Sequence, residues 1–238
     1  MVARFFALEA GLANVVFCYY GGMKMRPYLL PALLLLVPKL ALGEDQAMSE
    51  CGAGWRQVKQ EQGIRVCAIA VPGSEILKVK AQVSIAVDMS VVQEILDDVK
   101  HRKDWIPYLR ESRVLTPWRN HVRLEYSLFS APWPASDRGF VYRLKLVSSA
   151  PGRRVYHMAS VSSPLMPVQD GLVRAELIQS TYTLSAIAPA STYVELVFHA
   201  DPKGWLPNWI INIIQEILPY RILHNLRERA GHSGASRP

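Results

Sequence analysis

Asp201-Pro-Lys-Gly-Trp-Leu-Pro-Asn-Trp-Ile-Ile-Asn212 runs on without a break in character to Leu226-Arg-Glu-Arg229. Leu206, Ile210, Ile213, Ile214, Ile217, Leu218, Ile222, Leu223 and Leu226 recur in it at three- and four-residue steps. That spacing predicts one C-terminal amphipathic helix whose broad apolar face must leave water. Pro207 suits a first turn, where its missing N–H costs no bond. Pro219 cannot donate to the carbonyl of Gln215, so the second half is weakened, as a hinge or as a static kink around the sheet. Something large and apolar must lie beneath this helix.

The segments upstream supply it. Trp55–Gln60 and Gly63–Ala70 read as two short strands around the turn at Gln62-Gly63, and 76–87 alternates with Leu77, Val79, Ala81, Val83, Ile85 and Val87 on one face. Asp88 is placed to cap a helix over Met89–Val99, with Val91, Val92, Ile95, Leu96 and Val99 as its stripe. Beyond the corner Asp104-Trp105-Ile106-Pro107-Tyr108, strands dominate. Val122, Leu124, Tyr126 and Leu128 alternate against Arg123, Glu125 and Ser127; Phe140, Tyr142, Leu144 and Leu146 alternate against Val141, Arg143 and Lys145. Arg154–Val161, Leu172–Ala186 and Ser191–His199 follow, bounded by Pro, Gly or Ser. The order predicts an α+β helix-grip: a curved antiparallel sheet wrapped around a long C-terminal helix. One helix does not fill such a sheet, so either an internal apolar cavity remains or side chains pack a solid core.

Residues 1–43 stand apart from this domain. Lys24 and Arg26 precede the apolar run Tyr28–Val37, and Ala41-Leu42-Gly43 has the small residues of a cleavage site, which is the order of a secretory signal peptide. Residues 1–22 precede Met23 and Met25 and read as a mis-assigned start, or else as part of an uncleaved membrane anchor. The expected organisation is a signal region at 1–43, a short segment at 44–54, the domain at 55–230 and a flexible tail at 231–238. The chain of 238 residues is half hydrophobic and one-fifth charged, which suits a globular domain with a substantial core. Its net charge of +7 falls to about +4 without residues 1–43, which hold four basic residues and one acidic. The basic residues are scattered, with no stripe for nucleic acid; a modest attraction to anionic lipid surfaces is the better use of the surplus. Cys51 and Cys67 remain in the exported part. They either form a disulfide closing a loop of about 15 residues, worth roughly 3 kcal/mol, or pack as two small hydrophobes.

No catalytic motif is present: no G-x-S-x-G elbow, P-loop, G-x-G-x-x-G, H-E-x-x-H or C-x-x-C. The six histidines have no metal spacing. His199 and Asp201 are the one pair close enough in sequence to act together, and they fall at a strand end where turn-forming residues are expected. Neither a cofactor nor a metal is expected.

Four blocks in order resemble the START domain family of lipid-transfer modules: Asp104-Trp105, Arg138-Gly-Phe-Val-Tyr142, Gly171-Leu-Val-Arg-Ala-Glu176, and Lys203-Gly-Trp-Leu-Pro-Asn-Trp-Ile-Ile-Asn212 with His224-Asn-Leu-Arg227. The resemblance covers about Trp55 to Arg229 and, with the export signal, points to an exported bacterial member. It implies a helix-grip whose cavity holds one lipid under the C-terminal helix as lid, with binding, transfer or sensing rather than chemistry. The cavity candidates are Leu124, Tyr126, Phe140, Tyr142, Leu144, Met158, Ile178, Tyr182, Phe198, Ile210, Ile214 and Ile217. Arg138 and Arg174 are head-group candidates, or structural partners of acids such as Asp137 and Glu176. Two departures from the family stand out. Gly139 replaces the usual acid, and Leu144 stands where steroid-binding members carry a buried arginine. A drier cavity and an acyl-chain ligand follow from the second. The expected partners are a lipid and, transiently, a membrane surface touched by Trp205 and Trp209, with the protein a monomer. The rival reading is an aromatase/cyclase-like enzyme of the same superfamily, which would need acid–base groups inside the cavity. A role in binding a partner without any ligand is the weaker third.

Overall fold

The computed structural model describes residues 51–235, so the expected signal region, residues 44–50 and residues 236–238 lie outside the described residues. The chain forms β1 (Arg56–Glu61), β2 (Ile64–Ile69), β3 (Lys78–Ile85), α1 (Met89–Asp97), a 3-10 turn (Val99–Asp104), β4 (Leu109–Val114), β5 (Val122–Phe129), β6 (Arg138–Ser148), β7 (Arg153–Ser160), β8 (Val173–Arg174), β9 (Glu176–Ala188) and β10 (Ser191–Asp201). It closes with α2 (Asn208–Asn212), a π-helical turn (Ile213–Ile217) and α3 (Leu218–Ala235). The strands make one open, curved sheet in the order β1-β2-β3-β10-β9-β7-β6-β5-β4, antiparallel throughout, with β8 added parallel to β6. This is the helix-grip expected from the pattern.

Local chemistry explains the elements. Gln62 and Gly63 both have positive φ, the two-residue turn that matches the twist of the β1–β2 hairpin. The Asp88 side chain accepts from the Ser90 N–H at 2.8 Å and caps α1. The α1 stripe of Val91, Val92, Ile95 and Leu96 packs in one cluster with Val83 and Ile85 of β3, Val194 and Leu196 of β10, and Ile222, Leu223, Leu226 and Ala230 of α3.

The C-terminal helix departs from the sequence expectation at three points. Pro207 is the N-cap, one place before the helix, while residues 202–207 are irregular. The turn at 213–217 is π-helical, the Leu218 N–H donating to the Ile213 carbonyl, and it comes directly before Pro219. Widening the turn absorbs the missing proline donor. Residues 231–235, expected as part of a frayed tail, continue α3. Gly234 permits this, since a Cβ there would meet Val87 at 3.0 Å. The strand β4 lies outside the expected set; its sequence LRESRV does not alternate, and a bulge between Leu109 and Glu111 breaks its register with β5.

Cys51 and Cys67 are joined as a disulfide that ties the start of the domain to β2. Reduction should lower unfolding stability by about 3 kcal/mol, read from denaturant midpoints with and without reductant. An unchanged midpoint would show that the bond constrains nothing.

Candidate functional site

Between the concave face and the C-terminal helix lies a cavity of about 230 Å³. Leu206, Ile210, Ile213, Ile214, Leu218 and Ile222 cover it from the helix side. Phe140, Tyr142, Leu144, Met158, Tyr182 and Phe198 face it from the sheet, so eight of the twelve sequence candidates come together there, counting Ile210 and Ile214.

Four candidates lie elsewhere. Leu124 and Tyr126 point to the convex side, because β5 presents its other row inward. Tyr126 packs there against Val141 and Met166. A Cβ at position 139 would come within 3.2 Å of the Tyr126 hydroxyl, so glycine replaces the family's usual acid to make room for this ring. Ile178 is 43% exposed. The register against β10 slips between Leu177 and Gln179, a bulge that turns Ile178 outward and gives the inward place to Leu177. Ile217 is 37% exposed, because the π turn carries the inward row from Ile214 to Leu218 instead.

Arg138 and Arg174 bind backbone rather than acids. Arg138 donates to the carbonyls of Ser136, Pro202, Lys203 and Trp205, tying the loop before β6 to the approach of α2. Arg174 donates to the carbonyls of Met166 and Pro167, away from the cavity. Their expected partners are engaged elsewhere: Asp137 with Arg110, Glu176 with Lys203. His199 faces outward, its Nε2 lying 3.1 Å from the Ser74 hydroxyl.

The inward row of β5 is the polar one, and this corrects the expectation of a dry cavity. Glu125 is wholly buried. Arg102 Nη1 donates to Glu125 Oε2 at 2.5 Å, and Arg123 Nε donates to Glu125 Oε1 at 2.5 Å. The Tyr142 hydroxyl donates to Glu125 Oε2 at 2.8 Å and lies 3.1 Å from the Ser127 hydroxyl. Arg102 also donates from Nε and Nη2 to the Leu96 carbonyl. Arg123 reaches Asp97 at 3.6 Å and stacks on Trp118, whose ring centre is 4.5 Å away. Asp97 accepts from the Tyr156 hydroxyl at 3.3 Å. Asp97, Arg102, Ser127, Tyr142, Tyr156 and Tyr182 form the polar end of the cavity wall. Tyr182 makes no hydrogen bond to any described residue.

Burial opposes the charge on Glu125, but the two guanidinium groups outweigh it and hold its pKa below the usual value. Asp97 goes the other way: burial raises it, and Arg123 offsets this only in part. Tyr142, Tyr156 and Tyr182 are all pushed up by burial and stay protonated. Among the described residues no cluster of three potential metal ligands exists.

The sequence reading missed Asp97, Arg102, Arg123 and Glu125. Their signal was present: Arg123 and Glu125, opposite charges two apart on one strand face, form a pair as well as Leu124 and Tyr126 form an apolar row.

Glu125→Gln leaves two buried guanidinium groups short of a carboxylate and should cost about 3–5 kcal/mol in denaturant unfolding, whereas Tyr182→Phe should cost nothing measurable. Because folding lowers the Glu125 pKa, its contribution is fully present above the ordinary value of 4.5 and is lost as pH falls through the lowered one. Asp97, raised by burial, contributes below its ordinary value of 3.8 and loses that contribution as pH rises. Stability of the wild type should therefore fall more steeply on acidification than that of Glu125→Gln, and equal slopes would contradict the pairing.

A family model, the START domain, matches residues 40–217. An uncharacterized protein of Pseudomonas aeruginosa is 25% identical over 206 residues, covering 87% of this chain and 96% of the relative. Human START domain-containing protein 10 is 28% identical over 176 residues, 71% of this chain but only 60% of the relative. Among solved structures, human STARD10 superposes with a TM-score of 0.69 at 22% identity, covering 77% of this chain and 76% of its own. A STAR-related lipid transfer protein fragment from Xanthomonas axonopodis gives 0.66 at 26% identity, covering 75% and 99%. With the family model spanning most of the sequence and the sheet, helix and cavity arranged as described, the chain belongs to the START domain family.

Proposed function

We propose that the protein binds a single amphiphilic lipid in its internal cavity and transfers or senses it without chemical change. The observation that carries this reading is the cavity itself, apolar over most of its wall and covered by an amphipathic helix. Apolar surface removed from water there contributes about 25 cal/mol per Å². A related bacterial structure bears the name of a lipid transfer protein, which agrees with it. The volume lies below the roughly 300–1,000 Å³ of ordinary ligand pockets, so the ligand is slender or the helix yields to admit it. The π turn ahead of Pro219 is where it yields most readily, since the regular hydrogen-bond ladder is already interrupted.

The polar end sharpens the ligand class. An acyl or other apolar chain fits the helix side, and a polar group fits against the Tyr182 hydroxyl. The cyclase alternative needs a proton acceptor in the cavity. Glu125 is ionised but both its oxygens are bound by guanidinium groups, and the three tyrosines stay protonated. A carrier is therefore favoured over an enzyme.

Loading takes place at a membrane surface in this reading. Trp133 is 89% exposed and Trp205 67%, and Arg138 ties together the two loops that carry them. Indoles favour the bilayer interface. We place the protein, as a monomer, in the periplasm or outside the cell, delivered by the signal region. The disulfide suits an oxidising compartment. Retention by an uncleaved N-terminal segment is the alternative.

Native mass spectrometry of protein purified from its own host should show one bound lipid, and Ile210→Asp should abolish uptake of a fluorescent lipid without unfolding the domain. An empty protein that also takes up no lipid in vitro would sink the reading. Trp133→Ala should slow transfer between vesicles several-fold while leaving binding of lipid monomers unchanged; slowing of both would remove the membrane role.

A further inference from the structure

The four charged side chains at the polar end of the cavity form a closed set. Arg102 and Arg123 carry two positive charges, and Asp97 and Glu125 carry two negative ones. All are withdrawn from solvent, with side-chain exposures of 10%, 6%, 33% and 0% for Arg102, Arg123, Asp97 and Glu125. Arg102 lines the cavity yet has nothing left to offer a ligand. Its five N–H groups meet five acceptor contacts: two to the Leu96 carbonyl, two to Glu125 and one to the Tyr142 hydroxyl. Tyr142 in turn donates to Glu125. The group that remains for a ligand is the neutral hydroxyl of Tyr182.

Asp97 is the least securely held member. Its Oδ1 and Arg123 Nη2 face each other at 3.6 Å, and neither atom has a hydrogen-bond partner among the described residues. Yet Asp97 is what completes the balance. Arg123 shares Glu125 with Arg102, so one carboxylate serves two guanidinium groups, and only Asp97 cancels the excess. Asp97 and Tyr156 also form the wall between the cavity and an outer pocket lined by Trp118, Asn120 and His121.

Building on the lipid-binding reading, we infer that Asp97 sets the charge selectivity of the cavity: with it in place the polar end accepts an uncharged group, such as a hydroxyl, and rejects a carboxylate or an amine. A buried carboxylate entering a neutral, fully paired site gains no compensating charge and keeps its desolvation penalty of several kcal/mol. Removing the Asp97 charge leaves the set at +1, and an anion then gains a Coulombic partner in a medium of low dielectric. Removing Arg123 leaves −1 and should favour a cation instead.

The test uses the full chain and three ligands of one length, hexadecanol, hexadecanoate and hexadecylamine, each displacing a fluorescent lipid at a pH where acid and amine are ionised. The wild type should prefer the alcohol to either ion by at least about tenfold. Asp97→Asn should shift the acid-to-alcohol ratio towards the acid by about tenfold, and Asp97→Glu should restore the original ratio. Arg123→Gln should shift the amine-to-alcohol ratio instead, which keeps the proposal open to refutation if Asp97→Asn does not fold. Equal binding of alcohol and acid by the wild type, or ratios unmoved in both charge variants, overturns the inference while leaving the lipid reading intact. Failure of all three ligands to bind the wild type removes the lipid reading and the inference with it.

Discussion

The carboxylate of Glu125, held between the guanidinium groups of Arg102 and Arg123, is the constraint on which the rest of this structure depends. A buried carboxylate is tolerable only when its lone pairs are taken by charged donors. Meeting that condition fixes which face of β5 turns inward. It also draws the 3-10 turn after α1 onto the sheet, since Arg102 binds Glu125 with one end and the Leu96 carbonyl with the other. The cavity therefore gains a polar end rather than another apolar row.

The consequences extend to the convex side. With Glu125 inward, Leu124 and Tyr126 must find apolar cover outside, and Val141, Val161 and Met166 provide it. Gly139 is the price of that arrangement, as its absent side chain makes room for the Tyr126 ring. The loss of the family's acid at 139 and the presence of a polar row within the cavity are thus linked through one strand. Leu144, where steroid-binding relatives were expected to carry arginine, is compensated from another element by Arg102.

Much of the fold was legible in the sequence because it rests on period. The alternation of Val79, Ala81, Val83 and Ile85 and the three-and-four spacing of Ile210, Ile214, Ile222 and Leu226 need no tertiary information. Where two rows of one strand are both self-consistent, as in β5, period cannot choose between them, and a residue far along the chain decides. Arg102 was that residue. Ile178 and Ile217 were misplaced for a related reason: a bulge and a π turn each add a residue to the local repeat, and neither has a sequence signal as clear as the apolar row it interrupts. Pro219 did mark the weak point of the helix, though not the form the chain would take there.

The central claim is that a lipid occupies the space between the C-terminal helix and the inward faces of β5 to β10. Photo-crosslinking with a diazirine-bearing lipid, followed by peptide mapping, tests it most directly. Adducts should fall on Ile210, Ile214, Met158 and Phe198 and spare Leu124, Tyr126 and Leu128 on the convex face. Adducts concentrated on the convex-face residues, or none above the background of an unrelated protein, would contradict the account.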